Sequence, residues 1–183
     1  MKRNAIWSLG FAILGLVVLT VIFAWAPRVS SGPYYPLPSR DQKLPPSDRF
    51  IVLLNWKNEA VFDQKTGLVW EKSAKSSYSN WSGAHQRCDN LALGNRKEWR
   101  LPTLEELASL VDPSVPSPGP TLPAGHPFNA MSTFYWSATT DARNNANAWG
   151  VAFDIAGVGS GGKTTIDYVW CVHDGEGVKL IQL

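Results

Sequence analysis

The sequence predicts an α+β domain over residues 49–183, carried behind a hydrophobic amino-terminal segment. Three observations lead to this fold class. Strand-like segments open the domain, two short stretches with helical periodicity follow, and strand-like segments return toward the carboxyl end. Strands and helices that are segregated along the chain are typical of α+β folds, and this length suits one domain with one core.

The amino-terminal segment predicts a membrane anchor. Residues 5–26 carry no charge and are long enough to cross about 30 Å of hydrocarbon as a helix. Lys2 and Arg3 precede them, so residues 1–4 should stay in the cytoplasm and the remainder should lie outside it. We therefore expect a single-pass inner-membrane protein with a periplasmic carboxyl-terminal domain.

Two alternatives to this anchor stay open. A cleavable signal peptide would have a shorter apolar core, and Pro27 directly after Ala24-Trp25-Ala26 makes a poor cleavage site. A pilin-like leader would carry an acidic residue where Gly15 stands, and Pro27 stops its helix early. Both observations favour a retained helix.

Residues 27–48 predict an extended spacer between anchor and domain. A proline-rich segment cannot build a core and favours polyproline geometry, so it should act as a semi-rigid connection. Its prolines are Pro27, Pro33, Pro36, Pro38, Pro45 and Pro46.

The charge distribution argues against nucleic acid as a partner. The chain has a net charge of +2, but from residue 49 onward 12 basic side chains stand against 13 acidic ones. The basic excess therefore belongs to the amino-terminal part of the chain. A nucleic-acid-binding domain needs a concentrated basic face, so we expect no nucleic acid as a partner. The expected partners are the membrane and other membrane-protein subunits, which the protein would contact through the anchor helix and the spacer.

The first half of the domain predicts three strands and a helix. The strands cover residues 50–55, 60–63 and 68–72, and a turn ending at Gly67 joins the last two. The helix covers residues 80–93. Its inward face is formed at helical spacing by Trp81, Ala84, Cys88 and Leu91.

The next segment predicts a second helix with a sharply defined start. Pro102 forces the residue before it into extended backbone. Thr103 can cap the helix while Glu106 reaches back to the cap amide, which is a capping box. The helix should cover residues 104–111. The structural motif around its start consists of Trp99, Arg100, Pro102, Thr103 and Glu106.

The rest of the domain predicts strands over residues 135–138, 148–155, 165–172 and 178–181. Apolar side chains alternate along the second of these, as in a half-buried strand. Residues 157–162 are glycine-rich and lead into another strand. They lack the helix start that binds phosphate and are interpreted as a hairpin connection.

The two cysteines, Cys88 and Cys171, lie far apart in apolar contexts. In an oxidising compartment we expect them to be joined, which would close a loop of about 80 residues and contribute roughly 4–5 kcal/mol. Two separate buried thiols are the alternative. We expect no metal site, because His85, His126 and His173 show no ligand spacing, and no cofactor.

An ordered series of short motifs runs through the domain. Its members are Val61-Phe62-Asp63, Thr66-Gly67-Leu68-Val69-Trp70, Trp81, Ala84, Cys88, Leu91, Trp99-Arg100-Leu101-Pro102-Thr103, Glu106-Leu107, Leu110-Val111-Asp112, Tyr135-Trp136-Ser137, Ala148-Trp149 and Cys171-Val172. The series resembles the Lcl C-terminal domain family over about residues 50–173. The resemblance implies a C-type lectin-like fold with two short helices and a mostly antiparallel sheet. It also implies pairing of Cys88 with Cys171, but no chemistry, since the family has no agreed activity.

A loop before a late strand is the candidate ligand site. The short calcium and sugar motifs of lectin relatives do not occur in the sequence. The nearest substitute offers side-chain oxygens from Asp141, Asn144, Asn145 and Asn147 ahead of Trp149. A solvated, asparagine-rich turn is the alternative interpretation.

Tryptophan and arginine positions favour packing over ligand binding. Most of the seven tryptophans from residue 49 onward fall at inward positions, and Trp56 and Trp170 are the two least expected to be buried. Arg100 is expected to pair with an interior carboxylate rather than to bind an anionic ligand.

The sequence contains no recognisable catalytic constellation, so we expect no enzyme. The favoured function is a membrane-anchored periplasmic interaction or structural module, an accessory subunit of a larger membrane protein complex. The alternative is an extracytoplasmic lectin-like adhesin that binds a glycan or another ligand through the loop before Trp149.

Overall fold

The computed structural model describes residues 46–131, 133–178 and 180. The elements in chain order are helix α1 (Pro46–Arg49), strand β1 (Phe50–Val52), a 3-10 helix (Leu54–Trp56), β2 (Ala60–Asp63), β3 (Leu68–Glu71), β4 (Tyr78–Ser79), α2 (Trp81–Asp89), α3 (Leu104–Ala108), β5 (Phe134–Thr140), β6 (Asn147–Ala152), β7 (Gly157–Gly162), β8 (Asp167–Tyr168) and β9 (Val172–Asp174). The α+β class is confirmed.

Most predictions for the amino-terminal part of the chain concern residues that the structure does not describe. The anchor over residues 5–26 and the spacer up to residue 45 lie outside the described residues. Within the described ranges, no helix has the length and apolar character needed to cross a membrane. The one-turn helix α1 begins inside the predicted spacer, which was expected to run to residue 48.

The described strands form two sheets. The first has the order β1-β2-β3-β9 and is antiparallel throughout, so it joins the first described strand to the last. The second has the order β4-β8-β5-β6-β7. Its single parallel pairing lies between β5 and β8, at Tyr135 and Tyr168. The prediction of mostly antiparallel sheets is therefore confirmed.

Two hydrophobic clusters cover the two faces of the first sheet. Val61 and Trp70 lie in one cluster, which also contains Leu107 of α3. Ala60 and Val69 lie in the other, which contains the buried residues of α2. Because both faces are covered, every residue of β3 is buried.

Helix α2 ends earlier than the sequence pattern predicts. Asn80 caps its start by accepting a hydrogen bond from the Gly83 amide at 2.8 Å. The predicted end at residue 93 is wrong, since the helix stops at Asp89. Beyond it, Leu93 pairs with Arg96 in an antiparallel bridge around a tight turn at Gly94 and Asn95, whose φ angles are +58° and +61°, so the end of the predicted helix is not helical.

The two tryptophans least expected to be buried are both buried. Trp56 is 1 % exposed, because β1 ends at Val52 and the following 3-10 helix turns the indole inward. Trp170 is fully buried, and its Nε1 donates a hydrogen bond to the Glu71 carbonyl at 2.7 Å. The indole is held by that bond and by edge contact with Trp70.

The late strands differ from the prediction in three ways. Residues 157–162 form strand β7 instead of a hairpin connection, since the chain turns one step earlier, where Ala156 has a φ of +54°. Ile155 consequently lies in the turn and is 65 % exposed. The strand predicted over residues 165–172 divides into β8 and β9. Val178, at the start of the last predicted strand, is in no strand.

Candidate functional site

The predicted ligand loop connects β5 to β6 and is organised around Asp141. This carboxylate is 3 % exposed. It accepts hydrogen bonds from Arg143 Nε at 3.0 Å, Arg143 Nη2 at 2.9 Å and Ser160 Oγ at 2.9 Å. The side-chain bonds from Arg143 hold the pKa of Asp141 well below its usual range. Both oxygens of the carboxylate are thus engaged within the protein.

The asparagines of the loop serve mainly its own turn. Asn144 Oδ1 accepts a hydrogen bond from the Ala146 amide at 3.1 Å, and its carbonyl accepts one from Asn147 at 2.9 Å. Asn145 is exposed, while Asn147 is half-buried at the start of β6. The described residues contain no group of three or more His, Cys, Asp or Glu side chains placed to hold a metal ion.

Trp149 does not present an uncovered ring beside this loop. It is half-buried, and the Arg143 guanidinium lies 4.8 Å from its ring centroid. In the β6–β7 ladder Trp149 stands opposite Ser160, which bonds to Asp141. The structure therefore joins the candidate residues to β7, a strand that the sequence analysis missed.

Strand β7 is the outer strand of its sheet. Its inner edge pairs with β6 from Gly157 to Gly162, and no other described strand pairs with its outer edge. The Lys163 amide donates to the Ala146 carbonyl at 2.8 Å. Since bonded pairs alternate along an antiparallel ladder, the N–H and C=O of Val158 and Ser160 point away from β6.

On one face of the sheet, two aromatic rings pack against the glycines of β7. A Cβ on Gly161 would lie 3.4 Å from Trp136, and one on Gly159 would lie 3.8 Å from Phe134. The two rings therefore pack against strand backbone. Val158, on the other face, is 53 % exposed. We call the group of Val158, Ser160, Trp149 and Arg143 the edge surface.

The residues of the motif that starts α3 bond to one another and to the end of β9. Arg100 forms two hydrogen bonds of 2.7 Å with the Glu106 carboxylate and one of 2.6 Å with Asp174. Bonding to Glu106 raises the pKa of Arg100, so the guanidinium stays charged. Glu106 also accepts from the Thr103 amide at 2.8 Å, which completes the predicted capping box with Thr103 Oγ1. Trp99 beside it is 1 % exposed.

The disulfide lies against a partly buried ion pair. Cys88 and Cys171 are bonded and fully buried. Glu71 pairs with Arg87, whose Nη1 lies 2.6 Å from Cys171 Sγ. Burial raises the pKa of Glu71, and the pairing with Arg87 partly offsets that effect. Glu71 also borders a cleft of about 460 Å³.

A second cleft, of about 500 Å³, lies at His173 in β9. His173 is 7 % exposed and contacts Trp56 and Trp99, with ring centroids 5.3 Å and 5.5 Å away. The sequence analysis dismissed His173 because it has no metal-ligand spacing. The alternation of β9 could have indicated that its ring faces inward, but nothing in the sequence placed it beside the Asn95–Glu98 loop.

These features define an α+β domain in which the disulfide joins α2 to the residue before β9. Among the described residues, the outer edge of β7 pairs with no strand. Residues 59–173 match the model of the Lcl C-terminal domain, and the chain therefore belongs to the Lcl C-terminal domain family. The resemblance inferred from the motifs is confirmed. No sequence among the curated proteins matches the chain.

Proposed function

We propose that this protein is a non-enzymatic, membrane-anchored periplasmic interaction module, an accessory subunit of a larger membrane protein complex that it joins through the outer edge of β7. The observation that carries the proposal is the composition of this edge. Six residues of strand contain no charged side chain and no proline. Edge strands of proteins that stay single usually carry such features, because bare backbone groups otherwise pair with other chains.

The occupant we propose is an extended segment of a neighbouring subunit that adds a strand beside β7. The outward N–H and C=O groups of Val158 and Ser160 would supply main-chain hydrogen bonds, which give affinity in this mode of recognition. Side chains on the edge surface would supply specificity. Val158 offers an apolar contact, and Trp149 with the 72 % exposed Arg143 side chain offers a stacked aromatic and cationic pair.

Location and fold complete the proposal. The uncharged run over residues 5–26 supports an inner-membrane anchor with the amino terminus in the cytoplasm. The bond between Cys88 and Cys171 supports an oxidising compartment such as the periplasm. A C-type lectin-like fold is supported by the pairing of the first and last described strands in one sheet.

A glycan-binding adhesin receives less support from the geometry. The oxygens of Asp141 are bonded inside the protein, and Asn144 uses its side chain for the turn. A ligand would have to break these contacts before it could use the same atoms. The edge surface needs no such rearrangement.

The test is a comparison of two lysine variants of the full-length protein after mild detergent extraction. Val158→Lys places a charge on the outer edge of β7, whereas Thr164→Lys adds the same charge in the exposed turn that follows. We expect the wild type and Thr164→Lys to co-purify in a fixed ratio with other membrane subunits, and Val158→Lys to be extracted alone. Equal recovery of the complex with both variants, or free monomer in every detergent, contradicts the proposal.

The anchor is tested separately by amino-terminal sequencing of the membrane-extracted protein. A start at Met1 or Lys2 is expected if residues 5–26 are retained. A mature protein that starts at Pro27 would identify the segment as a cleaved signal and contradict the proposed anchoring. Binding through β7 would then require another means of bringing the domain to the membrane.

A further inference from the structure

The two segments that line the cleft at His173 differ in net charge. Arg96 and Lys97 stand, together with Glu98, on the wall formed by the loop before Trp99, so this wall keeps a net positive charge. Asp174 and Glu176 stand on the wall formed by the end of β9 and the residues after it. Arg96, Lys97 and Glu176 take part in no ion pair within 4 Å among the described residues. Asp174 is paired with Arg100, so Arg96, Lys97 and Glu176 remain available to a ligand.

The floor of this cleft holds unused hydrogen-bonding capacity. His173 is more than nine-tenths buried, and its Nδ1 makes no hydrogen bond with any described residue. The indole Nε1 of Trp56 is also without a partner in the described structure; Trp56 does not itself line the cleft, but its ring lies 5.3 Å from that of His173. Buried polar atoms are almost always bonded in proteins, and exceptions need an explanation such as a ligand.

The loop that forms the cationic wall is held in an uncommon conformation. Gly94, Asn95 and Glu98 all have left-handed φ angles, of +58°, +61° and +68°. For Glu98 this conformation is unfavourable, and such residues cluster at sites where the surrounding structure requires a particular geometry. The loop is fixed at both ends, by the Gly94 amide on Glu59 and by Trp99 Nε1 on the Arg96 carbonyl. The wall is thereby positioned before any ligand arrives.

We propose that this cleft binds a small zwitterion of the amino-acid or short-peptide class. The ligand carboxylate would contact Arg96 and Lys97, and its ammonium group would contact Asp174 and Glu176, with His173 beneath the connecting atoms. The volume of about 500 Å³ lies within the range of small-molecule sites. A ligand with one charge would leave the opposite wall unmatched. This inference is independent of docking through β7.

The experiment measures binding of triglycine to the full-length protein in detergent by titration calorimetry. N-acetyl-triglycine and triglycine amide each lack one of the two charges and serve as matched probes. We expect triglycine to bind, and each blocked peptide to bind at least about tenfold more weakly, since each loses one charged contact. Free glycine, compared with triglycine, reports how much of the cleft a ligand must span.

Two substitutions assign the walls. Lys97→Gln should weaken the binding of triglycine and of N-acetyl-triglycine. It should leave the binding of triglycine amide unchanged, because that peptide has no carboxylate to contact Lys97. Glu176→Gln should weaken the binding of triglycine and of triglycine amide. It should leave the binding of N-acetyl-triglycine unchanged, because that peptide has no ammonium group to contact Glu176. Lys75→Gln, on an exposed lysine that does not line this cleft, is the control and should bind all probes like the wild type.

No heat of binding at millimolar triglycine, or equal affinity for triglycine and both blocked peptides, overturns the proposal. Val158→Lys should bind triglycine like the wild type, so failure of the edge proposal and failure of this one are distinguishable. Near-ultraviolet circular dichroism of each variant establishes that its tryptophan core is intact. Unchanged triglycine affinity in properly folded Lys97→Gln and Glu176→Gln variants also overturns the assignment.

Discussion

Removal of the disulfide gives the largest single loss of stability that the structure predicts. The bond between Cys88 and Cys171 closes a loop with a sequence separation of 83. In the chain-entropy treatment, a loop of this length lowers the entropy of the unfolded chain enough to stabilise the fold by about 4.5 kcal/mol at 25 °C. For a domain of this size the double variant Cys88→Ala/Cys171→Ala should therefore unfold about 15 °C lower than the wild type.

The assay is urea and thermal unfolding followed by circular dichroism on the full-length protein. Each single alanine variant breaks the same cross-link, so each should lose nearly as much as the double variant, and the two losses should not add. Wild-type protein refolded under reducing conditions retains both sulfur atoms without the bond. It separates the cross-link from the packing that alanine also removes at these fully buried positions.

The reasoning is refuted if the double variant loses less than about 1 kcal/mol, or if the single losses sum to that of the double variant. Either result would mean that the pairing adds little beyond local packing. A loss seen in the alanine variants but absent in the reduced wild type would assign the stabilisation to the buried sulfur atoms. The contact of Arg87 with Cys171 Sγ would then be the next feature to examine.

Three further predictions concern a helix start, a carboxylate and a strand. Thr103→Ala should cost about 1 kcal/mol and Glu106→Ala about 2 kcal/mol in urea unfolding, because Glu106 also holds Arg100. The lowered pKa of Asp141 means that its contribution to stability is complete above the ordinary carboxyl pKa and is lost as pH falls through the folded value. The thermal midpoint of the wild type should therefore fall more between about pH 5 and pH 2 than that of Asp141→Asn. Gly150→Ala should cost about 2 kcal/mol, because its Cβ would lie 2.3 Å from the Tyr135 carbonyl oxygen, whereas Gly161→Ala should change stability by less than about 1 kcal/mol.

Each of these three predictions has a control variant or a result that would contradict it. Glu105→Ala removes an exposed acid beside Glu106 and should change little; a loss equal to that of Glu106→Ala would deny the shared role. If the thermal midpoints of the wild type and of Asp141→Asn fell equally with pH, the Asp141 carboxylate would not be bonded as described. Equal losses for Gly150→Ala and Gly161→Ala would mean that the strand shifts to admit a methyl group at both positions.

The capping box could be predicted from sequence because all of its interactions are local. Thr103 and Glu106 lie three residues apart, and Pro102 fixes the backbone before them, so no distant contact is needed to define the start of α3. The pairing of Arg100 with a carboxylate was expected on general grounds, and Glu106 is near in sequence. Its second partner, Asp174, is 74 residues away and only the fold identifies it.

The errors occurred where distant residues decide the outcome. Glycine favours turns in the absence of other information, so β7 was predicted to be a connection, whereas in the structure its backbone packs against the rings of Phe134 and Trp136. Trp170 was one of the two tryptophans least expected to be buried, yet it is buried, and its hydrogen bond to Glu71 spans 99 residues. The His173 cleft brings together residues 95–98 and 173–176, which no local pattern connects.

Strand β9 has a consequence for the order in which this protein can fold. It pairs with β3, and it forms a bridge to Arg100 through Val172, while the neighbouring Cys171 closes the disulfide. Contacts of such long sequence separation form late and slow the folding of a domain. A nascent chain that has not reached β9 lacks the fourth strand of the first sheet, so that sheet can be completed only after β9 has been synthesised. Premature termination near residue 170 should therefore yield a chain that is degraded rather than a shortened functional domain.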